Sequence, residues 1–187
     1  MIRHPFLVAF QLACAGGIAT AAHHAFAAER ARAEAPLGFS LAVLGESETP
    51  DGAWEGVDLL ATPRKRAERV QLTLRPSQAA RVTLDLVEDG EVRRIYPALG
   101  QSPLLAAGRS YALPAPSSFY EVDGDAHLRL TVAPAGLGES RGHPALAAPT
   151  GSTRRVRYPL SDGAKFDVAQ WQFETKGAGV VDLEARR

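Results

Sequence analysis

Residues 70–96 read VQLTLRPSQAARVTLDLVEDGEVRRIY. Val70, Leu72 and Leu74 alternate with Gln71 and Thr73, and Val82, Leu84 and Leu86 alternate with Thr83 and Asp85. A period of two belongs to strands with one face against a core and the other toward water. Glu88-Asp89-Gly90-Glu91 then separates the second strand from Val92-Arg93-Arg94-Ile95-Tyr96. Asp-Gly between two such runs is a hairpin signal, because the tight turn needs left-handed backbone angles that Gly accepts at no steric cost.

The same pattern continues outward. Leu128, Leu130 and Val132 alternate with Arg129 and Thr131, behind the turn signal Asp123-Gly124-Asp125 and the run Phe119-Tyr120-Glu121-Val122. Pro114-Ala115-Pro116-Ser117-Ser118 breaks the preceding stretch. Near the carboxyl end, Arg155 to Pro159, Trp171 and Phe173, and Val180 to Leu183 supply two or three more strands. Short strands separated by Gly, Pro and Asp turns predict a mainly β chain, an antiparallel β-sandwich. We expect one domain over 37–187, a flexible leader over 28–36, and a long irregular loop from Ala133 to Thr153, where four Gly and three Pro show no periodicity.

The chain has 187 residues, with 21 Lys+Arg against 21 Asp+Glu. This balance argues against nucleic acid as the principal partner, since phosphate-binding surfaces leave a basic excess. The single Cys and single Met both fall within the first fourteen residues. That segment reads as an export address: Arg3 precedes an apolar stretch from Phe6 to Ala22, and Ala25-Phe26-Ala27 has the small-x-small form cut by signal peptidases. Removal of residues 1–27 from 187 leaves 160, with 20 basic and 21 acidic residues because Arg3 is the one charge lost. The mature chain then has no Cys, which excludes a disulfide framework, a catalytic thiol and a thiolate metal site. Two alternatives tie the chain to a membrane: an uncleaved signal, or lipid attachment at Cys14. Gln11 stands three positions before Cys14, where lipoprotein signals carry an aliphatic residue. The location expected is periplasmic or secreted.

Residues 70–134 resemble the bacterial domain-of-unknown-function family numbered 4384. The similarity is an ordered set of features: the strands Val70 to Leu74 and Arg81 to Val87, the Glu88-Asp89-Gly90 turn, the step Arg93-Arg94-Ile95-Tyr96-Pro97, then Leu104-Leu105-Ala106-Ala107-Gly108, Tyr111-Ala112-Leu113-Pro114 and the strand Ala126 to Ala133. The chain departs from the family at Val82 and Leu84, where members often place a Tyr, and at Ala98, where they place Asn. The resemblance implies a non-enzymatic accessory β-domain of the cell envelope, and it carries over no catalytic residue.

Several constellations bear on chemistry. Gly138-Glu139-Ser140-Arg141-Gly142 matches the nucleophile elbow of serine hydrolases, but Pro134 and Pro144 exclude the strand–turn–helix setting that exposes such a Ser. No acid lies between Ser140 and His143, so the chain order of a triad is missing as well. Glu121, Asp123 and Asp125 offer three carboxylates, against the six to eight oxygens that Ca²⁺ takes. His127 and His143 are the histidines of the mature chain and are too far apart in sequence to suggest a zinc pair. Arg64-Lys65-Arg66 with Arg69, and Arg154-Arg155 with Arg157, read as solvated strand edges or as contacts for an anionic surface.

We therefore expect no catalytic residue, no cofactor and no metal, and a protein that binds or scaffolds in the bacterial cell envelope. Its partner would be another envelope protein or a cell-wall component. The alternatives are an envelope hydrolase with an unrecognised site and a glycan-binding or adhesion module. Trp54, Tyr120 and Trp171 are the candidate binding surface.

Overall fold

The computed structural model describes residues 36–62, 67–122, 126–137 and 152–184. The segment expected to be an export signal, Cys14, most of the expected leader, Arg64-Lys65-Arg66, Asp123-Gly124-Asp125, Ser140 and His143 lie outside the described residues. What is described is built of strands and turns: β1 (Leu37–Glu48), β2 (Trp54–Asp58), β3 (Arg69–Pro76), β4 (Ala80–Glu88), β5 (Glu91–Tyr96), β6 (Leu104–Leu105), β7 (Tyr111–Leu113), β8 (Tyr120–Glu121), β9 (His127–Pro134), β10 (Ser152–Pro159), β11 (Lys165–Thr175) and β12 (Gly179–Glu184).

They form two antiparallel sheets, a sandwich as the periodicity predicts. The first has the order β10-β11-β1-β3-β7, with β2 also on β1 and β8 also on β3. The second has the order β12-β9-β4-β5, with β6 also on β4. The two alternating runs that define the pattern therefore lie in opposite sheets. The chain leaves β3, crosses at Ser77-Gln78-Ala79 and enters β4 on the other side. The β4–β5 turn has Asp89 at φ 50 and Gly90 at φ 81, the two left-handed residues a type I′ hairpin turn requires. The carboxyl-terminal strands are shared, with β10 and β11 in the first sheet and β12 in the second.

The principal core fills the space between the sheets. Leu37, Leu41 and Leu72 from the first sheet, and Leu84, Leu130 and Val132 from the second, are each 0% exposed. Fully burying a side chain of this kind contributes about 1.5–3 kcal/mol. Phe39 and Phe173 stack across β1 and β11 with ring centroids 5.2 Å apart. Across the outer face of the second sheet, Asp85, Arg129 and Asp182 lie opposite one another on β4, β9 and β12. Arg94 bonds Asp85 and Arg129 bonds Asp182, so opposite charges alternate over four strands.

The outer face of the first sheet departs from the expected wet surface. Gln71 and Gln170 are buried there, and so is Glu46. The cause is curl. Tyr158 on the edge strand β10 donates its hydroxyl to the carbonyl of Ala42 on β1, although β11 lies between them in the sheet. The β10–β11 hairpin thus folds over β1 and encloses a second apolar cluster of Ala42, Leu44, Tyr158 and Val168. Burial pushes the Tyr158 hydroxyl up to about 12. Gly56 makes the closure possible: a Cβ there would lie 2.6 Å from the ring of Phe166 on β11.

The irregular stretch expected from Ala133 is shorter at both ends, because β9 runs through Pro134 and β10 begins at Ser152. Ala133 and Pro134 still face Arg81 and Ala80 across the ladder. Strand pairing there outweighs the local composition.

Candidate functional site

At one end of the curled sheet, a groove of about 460 Å³ opens between the β7–β8 loop and the β10–β11 turn. Ser117, Ser118 and Phe119 form one wall, and Pro159, Leu160 and Ser161 form the other. Arg69 from β3 and Glu121 from β8 also line it. Its size falls in the range of small-ligand clefts, about 300–1,000 Å³.

Each wall is tied to the sheet by a buried polar residue. Glu46, on β1 and 0% exposed, accepts hydrogen bonds from the Ser161 amide at 2.9 Å and the Ser161 hydroxyl at 2.6 Å. Gln71, two residues along β3 from Arg69 and so on the same face, donates Nε2 to the Ala115 carbonyl at 2.7 Å. Its Oε1 is buried with no hydrogen-bond partner among the described residues. The anchors replace water that the curled face excludes, and they fix two loops whose backbones would otherwise be free to move.

The floor holds a guanidinium in a set orientation. Arg69 Nε lies 3.0 Å from Glu121 Oε1, and Arg69 Cζ stands 4.2 Å from the Trp54 ring. Arg69 and Glu121 are directly opposite on β3 and β8, which makes the ion pair a consequence of register. Each contact is modest for a partly exposed pair, about 0.2–1 kcal/mol for the ion pair and about 0.5–1 kcal/mol for the cation on the ring. Together they fix the plane of the guanidinium. No bond from Arg69 Nη1 or Nη2 is formed among the described residues, which leaves two nitrogens able to donate.

Ser117 carries the backbone feature of the wall. The Ser118 amide donates to the Ala115 carbonyl at 3.1 Å, closing a four-residue turn with Pro116 and Ser117 at its centre. Ser117 has φ 59. Pro followed by a left-handed residue is the type II arrangement, whose third position favours Gly. A non-Gly residue held there costs on the order of 1–3 kcal/mol.

The three aromatic residues singled out from sequence do not meet. Trp54 lies half-buried on the outer face, beneath Arg69. Tyr120 and Trp171 are half-buried on the inner face and pack against the principal core. Burial, with a contribution from Tyr96, pushes the Tyr120 hydroxyl up to about 12. Trp171 Nε1 is buried with no hydrogen-bond partner among the described residues.

No family model, no curated protein and no solved structure matches the chain.

The other charged residues have separate places. Arg154, Arg155 and Arg157 are on β10, an edge strand, where Arg157 bonds Asp167 across the hairpin at 2.8 Å. That hydrogen bond holds the Asp167 carboxyl below its ordinary range. Glu121, considered above as an oxygen ligand, is instead the partner of Arg69. Among the described residues no three His, Cys, Asp or Glu side chains cluster to hold a metal ion. His127 is half-buried on β9, opposite Val87 and Glu184.

Sequence reasoning passed over Ser117, Phe119 and Ser161, and it treated Arg69 as one cation in a basic run. The Pro116-Ser117 turn was the only local signal. The rest depends on pairings that join β3 to β8 and β1 to the β10–β11 turn, at separations of 52 and 115 residues.

Proposed function

We propose that this chain is an exported binding domain of the bacterial cell envelope that acts by holding a partner rather than by catalysis. The observation that carries the binding reading is the groove: two loops anchored on a rigid sheet, with a stacked and ion-paired Arg69 between them. Loops held by a sheet scaffold are where binding residues concentrate. The amino-terminal address supports an envelope location, with residues 1–27 removed and Ala28 as the new terminus. The resemblance over residues 70–134 supports an accessory role, and the partner it suggests is an envelope protein or a cell-wall component.

The test is fractionation of cells making the full chain, with intact-mass measurement of the recovered protein. The expected result is protein in the periplasm or medium whose mass begins at Ala28. Full-length protein in the cytoplasm overturns the proposal, and a lipid-modified Cys14 would place the domain on a membrane instead.

A further inference from the structure

We propose that the groove reads a neutral polyhydroxylated ligand, a saccharide of one to three units, and that Ser117 supplies a hydroxyl to it. This inference rests on the binding reading above and names its ligand class.

The charge arrangement favours a neutral ligand over an anion. Arg69 is answered by Glu121 at 3.0 Å, and the nearby Glu46 carboxylate is spent on Ser161. Among the described residues the groove therefore offers no excess positive charge. What it offers is an interleaved set of donors and acceptors. Arg69 has two nitrogens left to donate, the Glu121 side chain is 64% exposed and accepts, the Ser117 and Ser118 hydroxyls do both, and the Ser161 hydroxyl, its proton given to Glu46, accepts. A vicinal diol also donates and accepts at every oxygen, so it can bridge Arg69 and Glu121 without breaking their pair. Phe119, Pro159 and Leu160 provide apolar surface for the C–H face of a sugar ring.

Ser117 sharpens the assignment. The turn it occupies is sterically easiest for Gly, yet the position carries a hydroxyl at φ 59 on the groove wall. Backbone strain kept at a ligand-facing residue is the pattern of a site in which the side chain is needed. Two substitutions separate strain from chemistry. Ser117→Gly removes both strain and hydroxyl. Ser117→Ala removes the hydroxyl and leaves the strained backbone in place.

The experiment titrates the isotopically labelled protein, as recovered from the envelope, with neutral trisaccharides of glucan, mannan and N-acetylglucosamine type. Inorganic phosphate and acetate serve as anionic counter-probes. At least one saccharide should give saturable amide shifts confined to Arg69, residues 117–121, Leu160 and Ser161, and the anions should give none. Ser117→Ala should weaken that binding about fivefold, the worth of one hydrogen bond. Ser117→Gly should weaken it equally while raising Tm by about 2–4 °C. Silence toward every saccharide overturns the inference, as does a groove response to phosphate or acetate, or wild-type affinity in Ser117→Ala. A protein captured at the groove from the envelope, with no saccharide response, removes the ligand class and leaves the binding reading intact.

Discussion

Replacing Gly56 by Ala tests how the first sheet closes over its own outer face. The new Cβ would stand 2.6, 2.8 and 3.0 Å from Cγ, Cδ2 and Cδ1 of Phe166. Carbon atoms settle at about 3.5–4.0 Å, so the ring must withdraw by about 1 Å. Phe166 packs against the cluster of Ala42, Leu44, Tyr158 and Val168, and its strand leads out of the turn that walls the groove. Overpacking of this kind costs about 1–3 kcal/mol. The narrower unfolded ensemble of Ala returns about 0.4–1 kcal/mol. The net loss of about 0.6–2 kcal/mol should lower Tm by roughly 1–8 °C, at the roughly 2–4 °C per kcal/mol expected of a domain this size. Calorimetry of Gly56→Ala in the wild-type chain and in a Phe166→Ala background reads the coupling. With the ring gone the same substitution should be neutral or slightly stabilising, a reversal of sign. Equal effects in the two backgrounds would refute the packing argument, and so would an unchanged Tm for Gly56→Ala in the wild-type chain.

The remaining expectations concern the core, the anchors and pH. Leu130→Ala should cost about 2–5 kcal/mol, because Leu130 is 0% exposed between the sheets, whereas Arg129→Ala beside it should cost under about 1 kcal/mol. Denaturant melts giving the two variants equal losses would reverse the assignment of faces on β9. Glu46→Ala should free the Ser161 amide, seen as faster hydrogen exchange there while the β4 and β9 amides stay protected; unchanged Ser161 exchange would remove Glu46 as the anchor of that wall. Tyr120 and Tyr158 are both pushed up to about 12 in the fold, against 10.0 as the ordinary value. Between these values the unfolded chain holds fewer protons than the native one, so stability falls as pH rises from about 10 toward about 12. A melt series flat across that window would contradict the burial of both hydroxyls.

The sequence was most legible where structure is local. Asp89-Gly90 specifies its own turn, and the alternation in β4 and β9 survives because their polar positions are an orderly array of Thr, Asp and Arg. In β1 the alternation disappears. Leu37, Phe39, Leu41 and Val43 face the principal core, while Ala42, Leu44 and Glu46 on the other side are buried by the folded-over hairpin. A strand covered on both faces carries little period-two signal. The candidate site was hidden for a related reason. Glu121 reads as one acid in a turn until β8 is registered against β3, which brings it to Arg69. Trp54, Tyr120 and Trp171 suggested a shared surface because aromatic residues stand out in composition, but residue type does not specify the side of a strand. Register does, and it sends Tyr120 and Trp171 inward.

If the groove between Ser117–Phe119 and Pro159–Ser161 is where this domain meets its envelope partner, a probe on its wall must touch that partner in the cell. Site-specific photo-cross-linking in living cells reads this contact, with the reactive side chain placed at Ser118 in one full-length chain and at exposed Arg93 on β5 in another. The expected result is a discrete adduct with an envelope component from position 118 and none from position 93. Adducts with cytoplasmic components, or equal adducts from both positions, would contradict it.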